Sequence, residues 1–285
     1  MKTSSPVFTG TKASLKNKLK NLTDFISKYS SAIVAYSGGV DSTIVAALTD
    51  KILGPTNSLI VTGKSPSINP RELELATKLA QDRKWNHKIV ETNEFLNSKY
   101  RKNDLARCFY CKFELYSLLD NISESKNYEV VFNGTNSDDL LDYRPGIKAA
   151  NNIKIVSPLS ECEISKNDVR EIAKALNLAN WDKPSQPCLS SRVPYGTEIT
   201  MNILNQISDA ENYLSDLGFS NFRVRNHGSI ARIELSESDI IKITNKELRY
   251  KISSYIKKLG FQYVSLDLIE FKSGNLNRHL NKKNG

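Results

Sequence analysis

The sequence predicts an α/β fold: a doubly wound parallel sheet followed by a smaller C-terminal α/β domain. Three observations carry that expectation. Short apolar, strand-like runs alternate with helical stretches from Leu15 to Asn177, the rhythm of right-handed βαβ units in a parallel sheet. Pro184, Pro187 and Pro194, with several serines, break the rhythm over residues 181–196, and it resumes beyond them on a shorter scale. The chain has 285 residues, which at about 150 per domain suits two domains, placed here at 12–196 and 197–276.

Each element has its own signal. Residues 1–11 are Ser/Thr-rich and, like 277–285, read as a flexible tail. Leu15, Leu19, Leu22 and Ile26 recur at helical spacing between lysines, an amphipathic helix. Residues 32–36 are an apolar strand that runs into Ser37-Gly38-Gly39-Val40-Asp41-Ser42 and then a helix through Ile52. Strands follow at 59–62 and 87–91 with a helix at 70–83 between them; a helix follows Cys111, strands come at 130–133 and 153–157, and a helix at 166–177. The prolines of 181–196 mark a linker or an active-site loop. Beyond lie a helix at 201–217, strands at 222–226 and 230–235, a helix up to Leu259 and a strand at 262–268. Gly218 and Gly260 stop the two helices.

Composition narrows the class. Hydrophobic residues are 39% and charged residues 25%, which excludes a collagenous or wholly disordered chain. No apolar run approaches the roughly 18 residues of a membrane span, and the first residues lack a signal-peptide core; a cytoplasmic protein is expected. Its four cysteines are then reduced, which makes them candidate metal ligands or nucleophiles. The net charge of +9 is confined to the ends. Lys2, Lys12, Lys16, Lys18, Lys20 and Lys28 face only Asp24, Lys272, Arg278, Lys282 and Lys283 face no acid, and the remaining 30 bases and 30 acids balance. A small anionic nucleotide held by a few placed arginines fits that distribution better than nucleic acid on a broad basic track.

Residues 37–42 carry the strongest chemical signal. Ser37, Gly38, Gly39, Asp41 and Ser42 follow a buried strand and open a helix. The glycines let backbone N–H groups face an anion, the helix start adds its positive end, and the two hydroxyls add donors. Asp41 can orient a loop N–H or hold Mg²⁺ on a pyrophosphate. No Gly-Lys-Ser/Thr ending is present, so this is not a Walker loop. Gly134, after the strand at 130–133, falls at the carboxyl edge of the sheet, where nucleotides bind; a plain tight turn is the other reading.

SGGVDS resembles the PP-loop ATP pyrophosphatases, the superfamily of GMP synthetase, NAD synthetase and tRNA thiolation enzymes. The resemblance implies cleavage of ATP between its α and β phosphates to adenylate an acceptor. Asp142-Tyr143-Arg144-Pro145-Gly146, Ser190-Ser191-Arg192-Val193-Pro194-Tyr195-Gly196, Phe222-Arg223-Val224-Arg225, Ile230-Ala231-Arg232-Ile233-Glu234, 263–268 and Phe271-Lys272-Ser273-Gly274 are similar to the LarE family over about residues 31–276. That resemblance implies an ATP-dependent sulfur transferase of nickel-pincer cofactor synthesis. A carboxylate of pyridinium-3,5-biscarboxylic acid mononucleotide is adenylated, and sulfur replaces AMP to give a thiocarboxylate. It also implies a homo-oligomer, a hexamer in relatives. A PP-loop tRNA thiolase and a non-catalytic nucleotide sensor are the alternatives.

The sulfur source departs from the self-consuming form of the family, whose single cysteine would fall at Pro187 here. This chain has Cys188 one position later and Cys108 and Cys111 at CxxC spacing upstream. Three thiolates suit a [4Fe-4S] cluster with one open iron, a pattern similar to cluster-containing relatives in which sulfur delivery is catalytic. A redox pair, structural zinc with Cys162 as fourth ligand, and inert packing are the other readings. Arg223 and Arg225 alternate on one strand face. The resemblance makes them a grip for the substrate phosphate, with Glu211 on the metal or substrate; ion pairs with Glu234 or Glu211 are the structural alternative. Arg192 either steadies the adenylate or the substrate carboxylate, or anchors loop carbonyls.

Overall fold

A strand as short and apolar as Ala32–Ala35 survives only at the centre of a sheet, covered on both faces. In a computed structural model that describes residues 13–140 and 155–272, it is the middle strand of five. β1 (Ala32–Ala35) lies between β2 (Ser58–Lys64) and β4 (Val130–Phe132), with β3 (His87–Glu91) and β5 (Ile155–Val156) outside them in the order β3-β2-β1-β4-β5, every pairing parallel. Ala32, Val34 and Tyr36 enter one apolar cluster, with Leu22 and Ile26 of α1 (Ala13–Ile26), Ile44 and Leu48 of α2 (Val40–Leu53), and Val169 and Ile172 further along the chain. Ile33 and Val131 enter the other, with Tyr116 and Leu119. The two-residue period of the strand thus splits its side chains between helices on both faces, the doubly wound arrangement expected.

Strand order reverses between β1 and β4. Ala32 stands beside Val130 and Val34 beside Phe132, so residues 36–42 and 133–136 leave the sheet side by side at its carboxyl edge. Such a switch point opens a crevice for a ligand.

The remaining helices of the first part are α3 (Pro70–Asp82), α4 (Ser98–Arg101), α5 (Arg107–Lys126), α6 (Pro158–Glu161) and α7 (Lys166–Ala175). α7 begins in a capping box in which Ser165 accepts from the Asp168 N–H and Asp168 accepts from the Ser165 N–H; Lys18 of α1 bonds the same carboxylate at 2.6 Å. α5 starts before Cys111 rather than after it. The Asp104 side chain accepts from the Ala106 N–H at 2.8 Å, and its carbonyl accepts from the Arg107 N–H, a local turn that launches the helix early. Cys108 and Cys111 therefore ride on its opening turns.

Three further strands form a separate sheet, β6 (Phe222–His227), β7 (Ile230–Leu235) and β8 (Tyr263–Leu266), with β6 antiparallel and β8 parallel to β7. α8 (Met201–Asp216), α9 (Glu237–Lys242) and α10 (Lys246–Lys258) accompany them. The single helix expected before Leu259 is divided, because Asn245 caps α10 by accepting from the Leu248 N–H. Ala210, Leu214, Val224, Ile233, Ile252 and Phe261 share its core. The chain divides into two compact units, one of Met1–Ser65, Glu72–Glu94 and Cys108–Lys183, the other of Pro66–Arg71, Phe95–Arg107 and Pro184–Gly285. The expected tails, the Asp142–Gly146 motif and Ser273-Gly274 lie outside the described residues.

Leu22 is 0% exposed on the inner stripe of α1. Leu22→Ala is expected to lower unfolding stability by about 2–5 kcal/mol through lost burial and a residual cavity, measured by urea denaturation; a cost under about 1 kcal/mol would show that α1 is not part of this core.

Candidate functional site

At the switch point, the loop between β1 and α2 is bonded onto itself. The Ser37 N–H donates to Ser42 Oγ at 3.2 Å, the two serine hydroxyls stand 3.1 Å apart, and the Gly39 N–H donates to Ser37 Oγ at 3.3 Å. The Gly39 carbonyl accepts from the hydroxyls of Ser42 at 3.0 Å and Thr43 at 2.8 Å. Gly39 ends the extended segment before α2 and gives the helix no side-chain cap. The amides at this helix start are thus presented by backbone alone, as an anion cradle requires.

Two glycines meet separate demands. Gly38 has φ +73°, and a Cβ there would lie 2.7 Å from Cβ of Ala76 on α3; conformation and space both exclude a side chain. Gly134 has no left-handed backbone to serve. A Cβ on it would lie 2.7 Å from the Ser42 nitrogen and 2.9 Å from the Ser42 Cα. Close passage of the β4 exit against the first turn of α2, rather than a tight turn alone, requires this glycine.

Asp41 is half-buried on that first turn and accepts from the Asn136 side-chain amide at 2.6 Å. Burial pushes its carboxyl above the usual range, the Asn136 bond pulls it down, and the nearby Asp139 charge pushes it up again. Asn180 donates to the Gly38 carbonyl at 3.1 Å and to Thr43 Oγ1 at 2.9 Å. Lys183 reaches the same carbonyl at 3.4 Å and pairs with Glu72 at 2.7 Å. Sequence reasoning passed over Asn136, Asn180 and Lys183. Asn136 carried a faint signal, a polar residue just past a buried strand, but the other two act across more than 100 positions.

The second unit gathers the arginines. Arg192, 2% exposed, is clamped by both oxygens of Glu211 at 2.9 Å and donates to the Pro187 and Cys188 carbonyls. Glu211 also accepts the Val224 N–H at 3.0 Å. Arg225 is clamped by both oxygens of Glu234 and donates to the Ser191 carbonyl at 2.7 Å. Arg232 adds a second pair to Glu234 at 3.1 Å. Arg223, buried on the same strand, bonds the Phe222 and Ser185 carbonyls and lies 4.6 Å from the Phe271 ring centre. No carboxylate among the described residues pairs with it. Burial, then the Arg192 and Arg225 charges, push it down to about 10. Arg192, Arg223, Arg225 and Arg232 face Glu211, Glu234 and Asp267, four cations against three carboxylates, which leaves a positive surplus centred on Arg223. The ion-pair reading thus describes Arg225 with Glu234, and Arg192 both anchors loop carbonyls and holds Glu211.

Cys188 opens a short 3-10 turn, Leu189–Arg192. Tyr100 and Ser190 share a hydroxyl bond of 2.6 Å, Arg107 donates to the Ser190 carbonyl at 2.8 Å, and the buried Asn103 amide bonds the Pro194 and Thr197 carbonyls. Cys108, Cys111 and Cys188 are each half-buried, the first two on one unit and the third on the other. Among the described residues no group of three or more His, Cys, Asp or Glu side chains stands together as a metal set. Cys162 caps α6, where burial pushes its thiol up. It lines a groove with Asn21, Phe25 and Lys28. Among the described residues no helix is long and apolar enough to cross a membrane.

The NAD synthase family model matches residues 11–183. An uncharacterized protein of Synechocystis is 45% identical over 94% of this chain and 100% of its own length. The pyridinium-3,5-bisthiocarboxylic acid mononucleotide synthase of Lactiplantibacillus plantarum is 36% identical over 95% of this chain and 97% of its own. A glutamine-hydrolyzing GMP synthase chain of Methanococcus maripaludis is 29% identical over 62% of this chain and 58% of its own.

Because Asn136 stabilises the ionised Asp41, Asn136→Ala raises the Asp41 carboxyl further. ATP affinity, measured by calorimetry from about pH 5 to 8, is expected to lose its acid limb at higher pH in the variant than in the unaltered chain. An unmoved limb would remove Asp41 from the site. The sign for stability is opposite. A carboxyl raised in the folded state stabilises it below the unfolded pKa, and that contribution is lost as pH rises through the folded value.

Proposed function

The chain belongs to the NAD synthase family of PP-loop domains and, within that superfamily, to the LarE family, and from that membership we propose its reaction. It is an ATP-dependent sulfur transferase that converts a carboxylate of pyridinium-3,5-biscarboxylic acid mononucleotide to a thiocarboxylate. The observation that carries the reading is the loop at the β1–β4 switch point, whose backbone amides, Ser37, Ser42 and Asp41 form a phosphate cradle pressed against Gly134.

The chemistry proceeds in two displacements. A carboxylate oxygen bonds to the α-phosphorus of ATP, and the bond to the β-phosphate oxygen breaks with its electron pair leaving on pyrophosphate. Ser37, Gly38, Gly39 and Ser42 supply donors where that charge develops. Sulfur then bonds to the acyl carbon, and the carbon–oxygen bond to AMP breaks with its electron pair on AMP. Arg223, which among the described residues bonds carbonyls alone, takes the mononucleotide phosphate, and Arg225 beside it shapes the field while held by Glu234. Arg192 holds the backbone beside Cys188, and through Glu211 it orients the Val224 amide of the arginine strand.

Two groups complete the proposal. Asp41 offers a carboxylate for Mg²⁺, which when bound offsets pyrophosphate charge. Cys108 and Cys111, one helical turn apart, and Cys188 on its loop would hold a [4Fe-4S] cluster, and the chemistry of three soft thiols fits it. When bound, such a cluster supplies the transferable sulfur, so that Cys188 is a ligand and not consumed. The proposal includes a hexamer working in the cytoplasm. No observation favours a tRNA thiolase or a sensor.

Incubating the protein with ATP, a sulfide source and the biscarboxylate mononucleotide is expected to give AMP, pyrophosphate and a product heavier by one oxygen-to-sulfur exchange, read by mass spectrometry. Pyrophosphate release that requires tRNA instead would overturn the substrate. Anaerobic purification is expected to give brown protein with about four irons per chain, and a colourless protein with one zinc would overturn the cluster.

A further inference from the structure

Arg223 is 4% exposed, yet no carboxylate among the described residues pairs with it. Its neighbours Arg192 and Arg225 are each fixed by both oxygens of a glutamate, which holds the guanidinium but offsets its charge. An arginine that takes a phosphate has to be fixed without being neutralised. Backbone carbonyls and an aromatic face can do this, since neither carries a net charge and the negative face of the ring still attracts a cation.

Phe271 supplies that face. The guanidinium carbon of Arg223 lies over its ring, 4.6 Å from the centre. The main chain brings the ring there. β8 ends at Leu266, but the chain stays beside β7: the Asp267 N–H donates to the Ile233 carbonyl at 2.8 Å and the Phe271 N–H to the Leu235 carbonyl at 2.7 Å. Between these ties Asp267 Oδ1 accepts from the Ile269 N–H at 3.0 Å and Leu268 is 91% exposed, so residues 268–270 bulge outward and Phe271 returns to the sheet. Leu235 stands opposite Phe222 in the register, which sets that return beside Arg223. Lys272, the next residue, pairs with Glu270 at 3.0 Å in solvent. The Phe222 and Ser185 carbonyls engage one terminal nitrogen each. A guanidinium has five N–H donors in its plane, so donors remain for an anion while the ring covers a face.

We propose that Phe271 is a positioning residue for the substrate phosphate: its ring fixes Arg223 in place of a carboxylate, so that the arginine keeps its full charge for the mononucleotide. The chain from Asp267 to Phe271 is the strap that sets the ring. The proposal rests on the reading of Arg223 as the phosphate ligand but not on the source of the sulfur.

The test is direct binding to the full-length protein by calorimetry. The probes are the biscarboxylate mononucleotide and its riboside, which lacks the phosphate, so the ratio of their affinities reports the phosphate contact. Phe271→Leu keeps the apolar cover and removes the aromatic face. It is expected to lower the ratio by about 5–30-fold, the range of a desolvated cation–π contact, with riboside affinity and the melting temperature unchanged. Phe271→Tyr should restore the ratio. In protein carrying isotope-labelled arginine, the Arg223 side-chain N–H signals, identified by their loss in Arg223→Gln, should shift in Phe271→Leu as the ring current is removed and stay in place in Phe271→Tyr. A ratio within about two-fold of the unaltered chain in Phe271→Leu would overturn the proposal. So would equal losses for both probes, absence of rescue by tyrosine, or loss of folding in Phe271→Leu, since each makes the ring a packing element. Arg223→Gln separates this proposal from the reading beneath it. An unchanged ratio in that variant removes Arg223 as the phosphate ligand and takes the proposal with it. A lowered ratio there with none in Phe271→Leu overturns the proposal alone.

Discussion

How near two backbone segments can pass decides whether this fold has a site at all. Gly134 lies so close to Ser42 that a single added carbon would sit 2.7 Å from its nitrogen. That contact seats the exit of β4 against the first turn of α2, brings Asn136 to Asp41, and sets the loop amides at the carboxyl edge of the sheet. Gly38 repeats the constraint on the other side against Ala76. The loop is shaped by what is missing from two side chains, and α2, α3 and the exit of β4 are packed to that clearance.

Electrostatics organise the second unit in a different manner. Arg192 and Arg225 are each held by a carboxylate through two bonds, and both carboxylates are nearly or fully buried. Buried pairs of this kind add little net stability, since desolvation offsets most of the attraction. What they provide is direction: two fixed guanidinium planes beside an arginine that, among the described residues, bonds backbone carbonyls alone. The positive surplus on Arg223 depends on Glu211 and Glu234 being committed elsewhere.

Most of the framework was legible in the sequence because strand period and helix period are local properties. The run from Ala32 to Ser42 announced a buried strand, a glycine turn and a helix start within a dozen residues, and all three stand where expected. The misplaced start of α5 came from Asp104, whose side chain builds a turn that periodicity does not register. The divided helix before Leu259 has the same origin in the Asn245 cap. Lys183 and Asn180 were illegible for another reason. Their meaning lies in a contact with Gly38, more than 100 positions away, and nothing near residue 180 signals it. Gly134 was noticed for its place at the sheet edge, but its need for clearance showed only once Ser42 stood beside it.

Arg192 holds the carbonyls of Pro187 and Cys188 together, through one nitrogen of its guanidinium. Both partners belong to the main chain, which every residue type possesses. Neither bond uses the side chain of Pro187 or Cys188, so the arginine does not itself read which of the two positions carries the thiol. The family resemblance puts the expendable thiol of self-consuming enzymes at the first position, whereas this chain has its thiol at the second. The thiol proposed as a ligand and the sacrificial one thus sit one step apart on a backbone that a single guanidinium nitrogen braces at both carbonyls, so the anchoring of the loop does not distinguish between the two positions.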